Sequence, residues 1–148
     1  MKITAERRDF LFFMDNKTFL SDNTTAPLCV TAAQARELAA LAAAEGFKTF
    51  TLDGLAMADK KLLLEHMAAR LAFPGDFGKN WDAAIDYLSD LQSFHSGKKF
   101  FITVENAAAI EKADAALYAV FMEVLGFGAA RTKEAFGDAV TLKVAVAA

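Results

Sequence analysis

The sequence is poor in cysteine and proline, and it has no long uninterrupted apolar run. Of its 148 residues, one is cysteine, two are proline and eight are glycine. A single thiol, Cys29, cannot form an intramolecular disulfide or a zinc site built from several cysteines, which fits a reducing compartment. The low proline and glycine content excludes collagen and low-complexity linkers. Because no stretch of 18 apolar residues is free of charge, we expect no membrane-spanning helix.

Basic residues are not in excess either. The chain has 16 Lys and Arg against 19 Asp and Glu, a net charge of −3. A nucleic-acid-binding surface is therefore not expected as a property of the whole protein. What the chain does have is apolar residues, which make up 55% of it and include 14 Phe. That content excludes a disordered chain and predicts one compact core.

The first 46 residues are predicted to form an N-terminal extension with a hairpin and a helix. An apolar run at 10–14, a turn at 15–16 and an extended pattern at 17–20 suggest the hairpin. Thr31 and Gln34 have the spacing of a capping box, which begins a helix that Gly46 ends. The pair Arg7-Arg8 is similar to an export signal, but Asp15 soon interrupts the run that follows. We therefore expect a cytoplasmic protein.

Residues 47–148 show an α/β pattern, in the order strand, helix, helix, strand, helix, strand. Crossovers that contain helices predict parallel strands with right-handed connections. Gly126 is expected to end the last long helix, and residues 127–138 are ambiguous, with a short helix possible at 130–136. The predicted strands are 47–52, 99–104 and 140–146, the last half-buried. The predicted helices end near residues 72, 91 and 125, and they begin directly after the N-cap residues Asp59, Asn80 and Asp114.

An acidic segment at residues 73–91 carries a net charge of −3, equal to that of the whole chain. Its acids are Asp76, Asp82, Asp86 and Asp90, and its base is Lys79. On a helix that begins after Asn80, the last three acids are spaced i, i+4, i+8 on the solvated side. The opposite side is predicted to bury Trp81, Ala84, Ile85, Leu88 and Leu91.

Three interpretations of this acidic helix remain open from its spacing. It can be a plain solvated face, because Asp near a helix N-terminus is favoured by the helix dipole. It can hold Mg²⁺ or Ca²⁺, although no Glu or Asn joins the acids at ligand spacing. It can also be an anionic surface for a cationic partner, which would explain three helix-interior acids that oppose local stability.

Residues 77–88, Phe-Gly-Lys-Asn-Trp-Asp-Ala-Ala-Ile-Asp-Tyr-Leu, resemble the signature of the barstar family. Members of this family are intracellular inhibitors of secreted bacterial ribonucleases. The resemblance extends over residues 47–148 and implies a three-layer α/β fold with a small parallel sheet packed by helices. It also implies a partner, which is a basic secreted ribonuclease or ribonuclease toxin, and the role of an immunity protein in a bacterial cell.

The resemblance further implies which residues touch the partner. Asp86 matches the acid that enters the phosphate pocket of the ribonuclease, and Asp82 matches a second contact. The other matching positions, some with a changed residue type, are Asp76, Phe77, Gly78, Asn80, Trp81 and Ile85. Asp90, farther along the acidic helix, is also expected to face the partner. Asp76 departs from the family pattern, which has tyrosine there. An acid on the last helix corresponds to Glu123 or Glu134, between which the sequence does not choose.

We therefore expect a ribonuclease inhibitor that needs no cofactor, metal, nucleic acid or membrane. The alternative is an interaction or scaffold module that has the same fold and no ribonuclease partner. A hydrolytic enzyme is not expected, because His66 and His95 are not accompanied by a serine or cysteine in a recognisable nucleophile motif. Cys29, in an apolar context, is expected to be a small buried residue.

Overall fold

The structure, a computed structural model, describes residues 16–148. Arg7, Arg8 and the predicted first hairpin arm, 10–14, lie outside the described residues. Residues 16–21 are helical, so the strand predicted at 17–20 is wrong. Phe19 and Leu20 are 6% and 7% exposed. Two neighbouring side chains can both face the core from a helix, whereas a strand would point them to opposite sides.

Four parallel strands form one sheet in the order β1-β4-β3-β2, which confirms the predicted α/β class. The edge strand β1 was not predicted. It pairs with β4 through Cys29, which is exposed, so the expected burial of this cysteine is wrong. The strands are β1 (Leu28–Val30), β2 (Lys48–Asp53), β3 (Lys99–Glu105) and β4 (Thr141–Ala147).

The helices begin largely where side chains in the sequence can cap them. Thr31 accepts a hydrogen bond from the backbone of Gln34 (3.2 Å), and the Gln34 side chain accepts one from Thr31 (3.0 Å), as predicted. Asp59 and Asp114 also cap helices as predicted. The helices are α1 (Ala32–Ala44), α2 (Lys60–Arg70), α3 (Trp81–Leu88), α4 (Ala107–Ala113) and α5 (Ala115–Phe136), with short 3₁₀ turns at Gly54–Ala56 and Leu91–Ser93.

The two faces of the sheet are covered by different helices, which gives three layers. Phe100 and Phe101 are both fully buried, and as neighbours on β3 they point to opposite faces. Phe100 belongs to the larger core, under α2 to α5. Phe101 packs with Leu38 and Ala42 of α1 and with Phe19. Helices α2 to α5 thus lie on one side of the sheet, and α1 with residues 16–21 lies on the other.

Strand β4 is central and buried on both faces, not half-buried as predicted. It lies between β1 and β3, and six of its seven residues are buried. One of these is Lys143, whose side chain is 3% exposed and ion-paired with Asp22 at 2.9 Å. Its ammonium also donates to the backbone oxygens of Asp22 (3.0 Å) and Thr24 (2.6 Å). Residues before 47 therefore complete the environment of this strand, while the division into an extension and a domain stays a prediction.

Helix α5 is longer than predicted and is preceded by α4, which was not predicted. Gly126 lies inside α5 and does not end it, and the ambiguous residues 127–136 belong to the same helix. Helix α5 is long and apolar enough to cross a membrane, and core helices of soluble proteins can have the same length and composition. One side of it is buried in the core, through residues that include Phe121 and Leu125.

Candidate partner-binding site

A loop of aromatic and turn residues leads into α3 and fixes its start. Phe73 is 9% exposed, and its ring centroid lies 5.1 Å from that of Phe77 and 5.3 Å from that of Tyr87. The backbone N–H of Phe77 donates to the carbonyl of Pro74 at 3.0 Å, which closes a turn. These contacts tie the loop to the helix that follows it, so the segment presents one defined surface.

Asn80 is the N-cap of α3, as predicted. Its Oδ1 accepts from the backbone N–H of Ala83 at 2.8 Å, and its Nδ2 donates to the carbonyl of Gly78 at 3.3 Å. The side-chain amide of Asn80 is therefore used inside the chain. A partner that touches Asn80 and Gly78 meets residues that begin the helix and set its direction.

Two acids define the outer face of α3. Asp82 and Asp86 are exposed and one helical turn apart, as predicted. Within residues 16–148, the carboxylate of Asp82 has no hydrogen bond or ion pair. Asp86 differs, because its Oδ1 accepts from Nη1 of Arg131 at 3.0 Å. The side chains of Asp86 and Arg131 are 66% and 52% exposed, so this is a surface ion pair.

The inner face of α3 is narrower than predicted. Ala84 and Leu88 are 0% and 1% exposed, but Trp81 and Ile85 are half-buried, so the prediction of burial is wrong for these two. Both pack against the main core, and α3 as a whole contacts α5. Lys60 lies 5.9 Å from the centroid of the Trp81 ring. Part of an indole ring is thus available beside the two acids.

Asp90 is exposed as predicted, but it does not continue the acidic row. Helix α3 ends at Leu88, where the hydroxyl of Ser89 donates to the carbonyl of Ile85 at 2.8 Å. Asp90 begins the following 3₁₀ turn, and its Oδ1 accepts from the Ser93 hydroxyl (2.6 Å) and from Nε2 of Gln92 (2.8 Å). Its carboxylate therefore stabilises a turn, and the expected helix to Leu91 is wrong.

Asp76 is also engaged inside the chain. The hydroxyl of Tyr87 donates to its Oδ1 at 2.5 Å, and this hydrogen bond raises the pKa of Tyr87 above its usual value. The bond joins the loop before α3 to the last turn of that helix. Phe77, next to Asp76, is half-buried in the aromatic cluster. Of the four predicted acids, Asp82 and Asp86 remain as the pair on the open helix face.

The family model described as Barstar (barnase inhibitor) matches residues 47–145. The chain belongs to the barstar family. The match includes β2, β3, the first five residues of β4 and all of the predicted site, and it leaves β1 and α1 outside. A comparison with curated proteins finds no match. The family is one of inhibitors, which agrees with the coarse functional class that the resemblance implied.

Helix α5 has a row of exposed side chains beside α3. Glu123, Phe127, Arg131 and Glu134 are exposed, and their positions fall within an arc of about 80° around the helix. Since Arg131 contacts Asp86, this row lies beside the outer face of α3. Both acids between which the sequence did not choose, Glu123 and Glu134, are thus on the same side of the molecule.

Arg131 is the residue that sequence analysis missed. It is 45 positions from Asp86 along the chain, in the stretch after Gly126 that the sequence left ambiguous. No spacing rule connects two residues on different helices. Among residues 16–148, no group of three or more His, Cys, Asp or Glu could hold a metal ion.

Proposed function

We propose that this barstar-family protein inhibits a small basic ribonuclease by covering its active site with the outer face of α3. Asp86 enters the cationic pocket of the ribonuclease that normally binds a phosphate group of RNA. Asp82 contacts a basic side chain at the rim of that pocket. The observation that carries the proposal is the exposure of both carboxylates on one helix whose start is fixed by Asn80. Carboxylates and phosphates accept the same charge-assisted hydrogen bonds from Arg and Lys.

The surrounding surface suits a protein partner better than a free ion. The half-buried ring of Trp81 and the exposed ring of Phe127, 53% accessible, flank the acids. Aromatic side chains of this kind are the common anchors of protein interfaces. We also propose that the protein acts in the cytoplasm of a bacterial cell as an immunity protein, where it protects the cell from the ribonuclease before secretion or from one that enters.

The alternative function is a non-inhibitory interaction or scaffold module. One observation favours it, which is that Asp86 is already paired with Arg131 and so is less available than the role requires. An exposed pair is worth about 0–1 kcal/mol, however. A partner that offers several desolvated cations exceeds that value, so the pair does not prevent inhibition.

The first test compares Asp86→Ala with the parent protein against a panel of small basic microbial ribonucleases. We expect at least one ribonuclease to be inhibited stoichiometrically. Removing one member of a desolvated charge pair costs about 3–5 kcal/mol, so Asp86→Ala loses roughly two to four orders of magnitude in affinity. The free energy of unfolding of the variant stays within about 1 kcal/mol of the parent, because a weak surface pair is lost and a better helix former is gained.

Glu37→Ala is the matched control, because it removes the same charge from exposed α1 on the far side of the sheet. It should inhibit like the parent. If no ribonuclease binds at micromolar concentration, or if Asp86→Ala binds as tightly as the parent, the inhibitor function is wrong and the scaffold function replaces it.

A further inference from the structure

Arg131 lies where the partner must dock. Its Nη1 is 3.0 Å from Oδ1 of Asp86, and both side chains are more than half exposed at the surface. A macromolecule that covers the carboxylate of Asp86 also covers part of this guanidinium. A cationic partner is expected to be attracted by the acids on this surface. It therefore also meets the positive charge of Arg131 at the centre of the surface.

The contact leaves both ends of the ion pair open. The guanidinium has five N–H donors, and one nitrogen, Nη1, is used in the bond to Asp86. The second carboxylate oxygen, Oδ2, makes no hydrogen bond within the described part of the chain. A buried ion pair is stable where its remaining donors and lone pairs are also satisfied. An interface over this pair thus requires a cation at Asp86 and an acceptor at Arg131.

The neighbours of Arg131 make the position of that acceptor specific. Glu123, Phe127 and Glu134 lie on the same side of α5, and Asp82 and Asp86 lie on α3. Two of the three neighbours on α5 are acids, which repel an anionic group of the partner. Arg131 is the base in this set of six residues, so a partner carboxylate is favourable opposite Arg131 and unfavourable beside the others.

We propose that Arg131 determines which partner this surface accepts, by binding a carboxylate that the partner carries next to the cationic pocket for Asp86. This inference rests on the proposed function and adds the chemistry of the partner to it. In the complex the charges alternate, from the partner's cation to Asp86, to Arg131, to the partner's carboxylate. A basic partner that has no acid at that position covers the remaining N–H donors of the guanidinium and gives them no acceptor, so it binds more weakly.

The test uses the full chain and the ribonuclease from the panel that binds it most tightly. Dissociation constants are measured for the parent, Arg131→Ala, Arg131→Lys and Arg131→Glu. We expect a loss in affinity of roughly 10- to 100-fold for Arg131→Ala, which is the range that a hydrogen bond to a charged group is typically worth. Arg131→Lys should be weakened less, and Arg131→Glu more than Arg131→Ala. Arg36→Ala removes the same charge from exposed α1 and should bind like the parent.

A double-mutant cycle separates a contact with the partner from an effect through Asp86. Arg131→Ala is therefore also measured in the Asp86→Ala protein, at ribonuclease concentrations high enough to detect weak binding. If Arg131 contacts a partner carboxylate, the substitution weakens binding severalfold in this background too. If that loss disappears, Arg131 merely positions Asp86 and the proposal is wrong.

The remaining outcomes are also decisive. Equal or tighter binding by Arg131→Ala, with inhibition by the parent intact, overturns the role of Arg131 and leaves the proposed function standing. Failure of the parent to bind any ribonuclease overturns the proposed function, and this inference with it. Exposure of the Arg131 side chain means that these variants should fold, which thermal unfolding checks.

Discussion

At the scale of single residues, Asp82 and Asp86 offer a partner two different things. The carboxylate of Asp82 has no partner within residues 16–148, so no neighbouring cation offsets its attraction for an approaching partner. Asp86 is held by Arg131, so its charge is partly neutralised and its direction is fixed. Exposed charges are screened beyond about 8 Å at physiological salt. We infer that Asp82 contributes mainly to the rate of association and Asp86 mainly to the lifetime of the complex.

The protonation state of His66, on α2, affects the stability of the fold. Its Nε2 accepts a hydrogen bond from the backbone N–H of Asp53 at 2.9 Å, so in this state the ring is neutral and its proton is on Nδ1. Burial, and then the nearby Arg70, lower the pKa of His66, while Asp53 raises it by a smaller amount. Protonation of Nε2 removes the acceptor at the end of β2.

We predict that this histidine makes the fold less stable in mild acid. Because the pKa of His66 is lower in the folded than in the unfolded chain, the stabilisation is complete above the usual pKa of about 6.5. It is lost as the pH falls through the folded value, by about 1 kcal/mol for one hydrogen bond. Chemical unfolding of the parent and of His66→Gln between pH 7.5 and pH 5 measures this. Equal pH dependence in the two proteins would contradict it.

Single residues were predictable from the sequence where the cause is local. Thr31, Asp59 and Asn80 cap helices because their side chains reach backbone N–H groups three residues ahead. Capping needs no knowledge of the fold. The pairing of Asp86 with Arg131, and the bond between Asp76 and Tyr87, depend on how separate elements meet, so spacing alone did not indicate them.

At the scale of elements, the packing of α3 on α5 sets the direction of the acidic face. The two helices meet closely at Gly128, where an added Cβ would lie 2.7 Å from Cβ of Leu88. Sequence analysis treats a glycine near the end of an apolar run as a helix stop, and so it ended α5 at Gly126. In the structure α5 continues, because the packing of one side into the core outweighs the low helix propensity of two glycines.

This contact predicts opposite effects for two neighbouring substitutions. Gly128→Ala should destabilise the fold by about 1–3 kcal/mol, because Cβ of Leu88 is close to the backbone and cannot move aside cheaply. Gly126→Ala should stabilise it by up to about 1 kcal/mol, because an added Cβ would lie at an ordinary 3.6 Å from its nearest neighbour, Cδ of Pro27. Urea unfolding of both variants measures the difference, and equal stability would show that α3 and α5 do not meet closely.

At the scale of the whole molecule, the sheet requires residues that precede the family match as well as those within it. The family model begins at Phe47, yet β1 covers one edge of β4, and α1 covers the face that carries Phe101 and Ala145. The parallel α/β core was predictable from the order of strands and helices after residue 47. Strand β1 was not predictable, because it is three residues long, Leu28–Val30, and its pairing with β4 joins distant parts of the sequence.

The last prediction concerns a fragment of residues 47–148, which contains the family match and the proposed site. Removing residues 1–46 uncovers Phe101 and Ala145, both 0% exposed in the whole chain, and leaves an edge of β4 unpaired. Each uncovered large apolar side chain costs about 1.5–3 kcal/mol, against a typical total stability of about 5–15 kcal/mol. An unpaired, apolar edge strand also favours association between chains. We therefore expect the fragment to aggregate or to unfold at a much lower temperature, as sedimentation and thermal circular dichroism would show.

Lys143→Met in the full chain is the control for this fragment, because it removes the bonds to Asp22 and Thr24 and leaves the apolar cover in place. Its loss of stability should be smaller, about 1–3 kcal/mol for the hydrogen bonds of a charged group, and the protein should remain folded and monomeric. A fragment that melts within a few degrees of the full chain would mean that residues 47–148 are an independent domain. The sheet face at Phe101 would then tolerate water, in conflict with the burial that α1 and residues 16–21 provide.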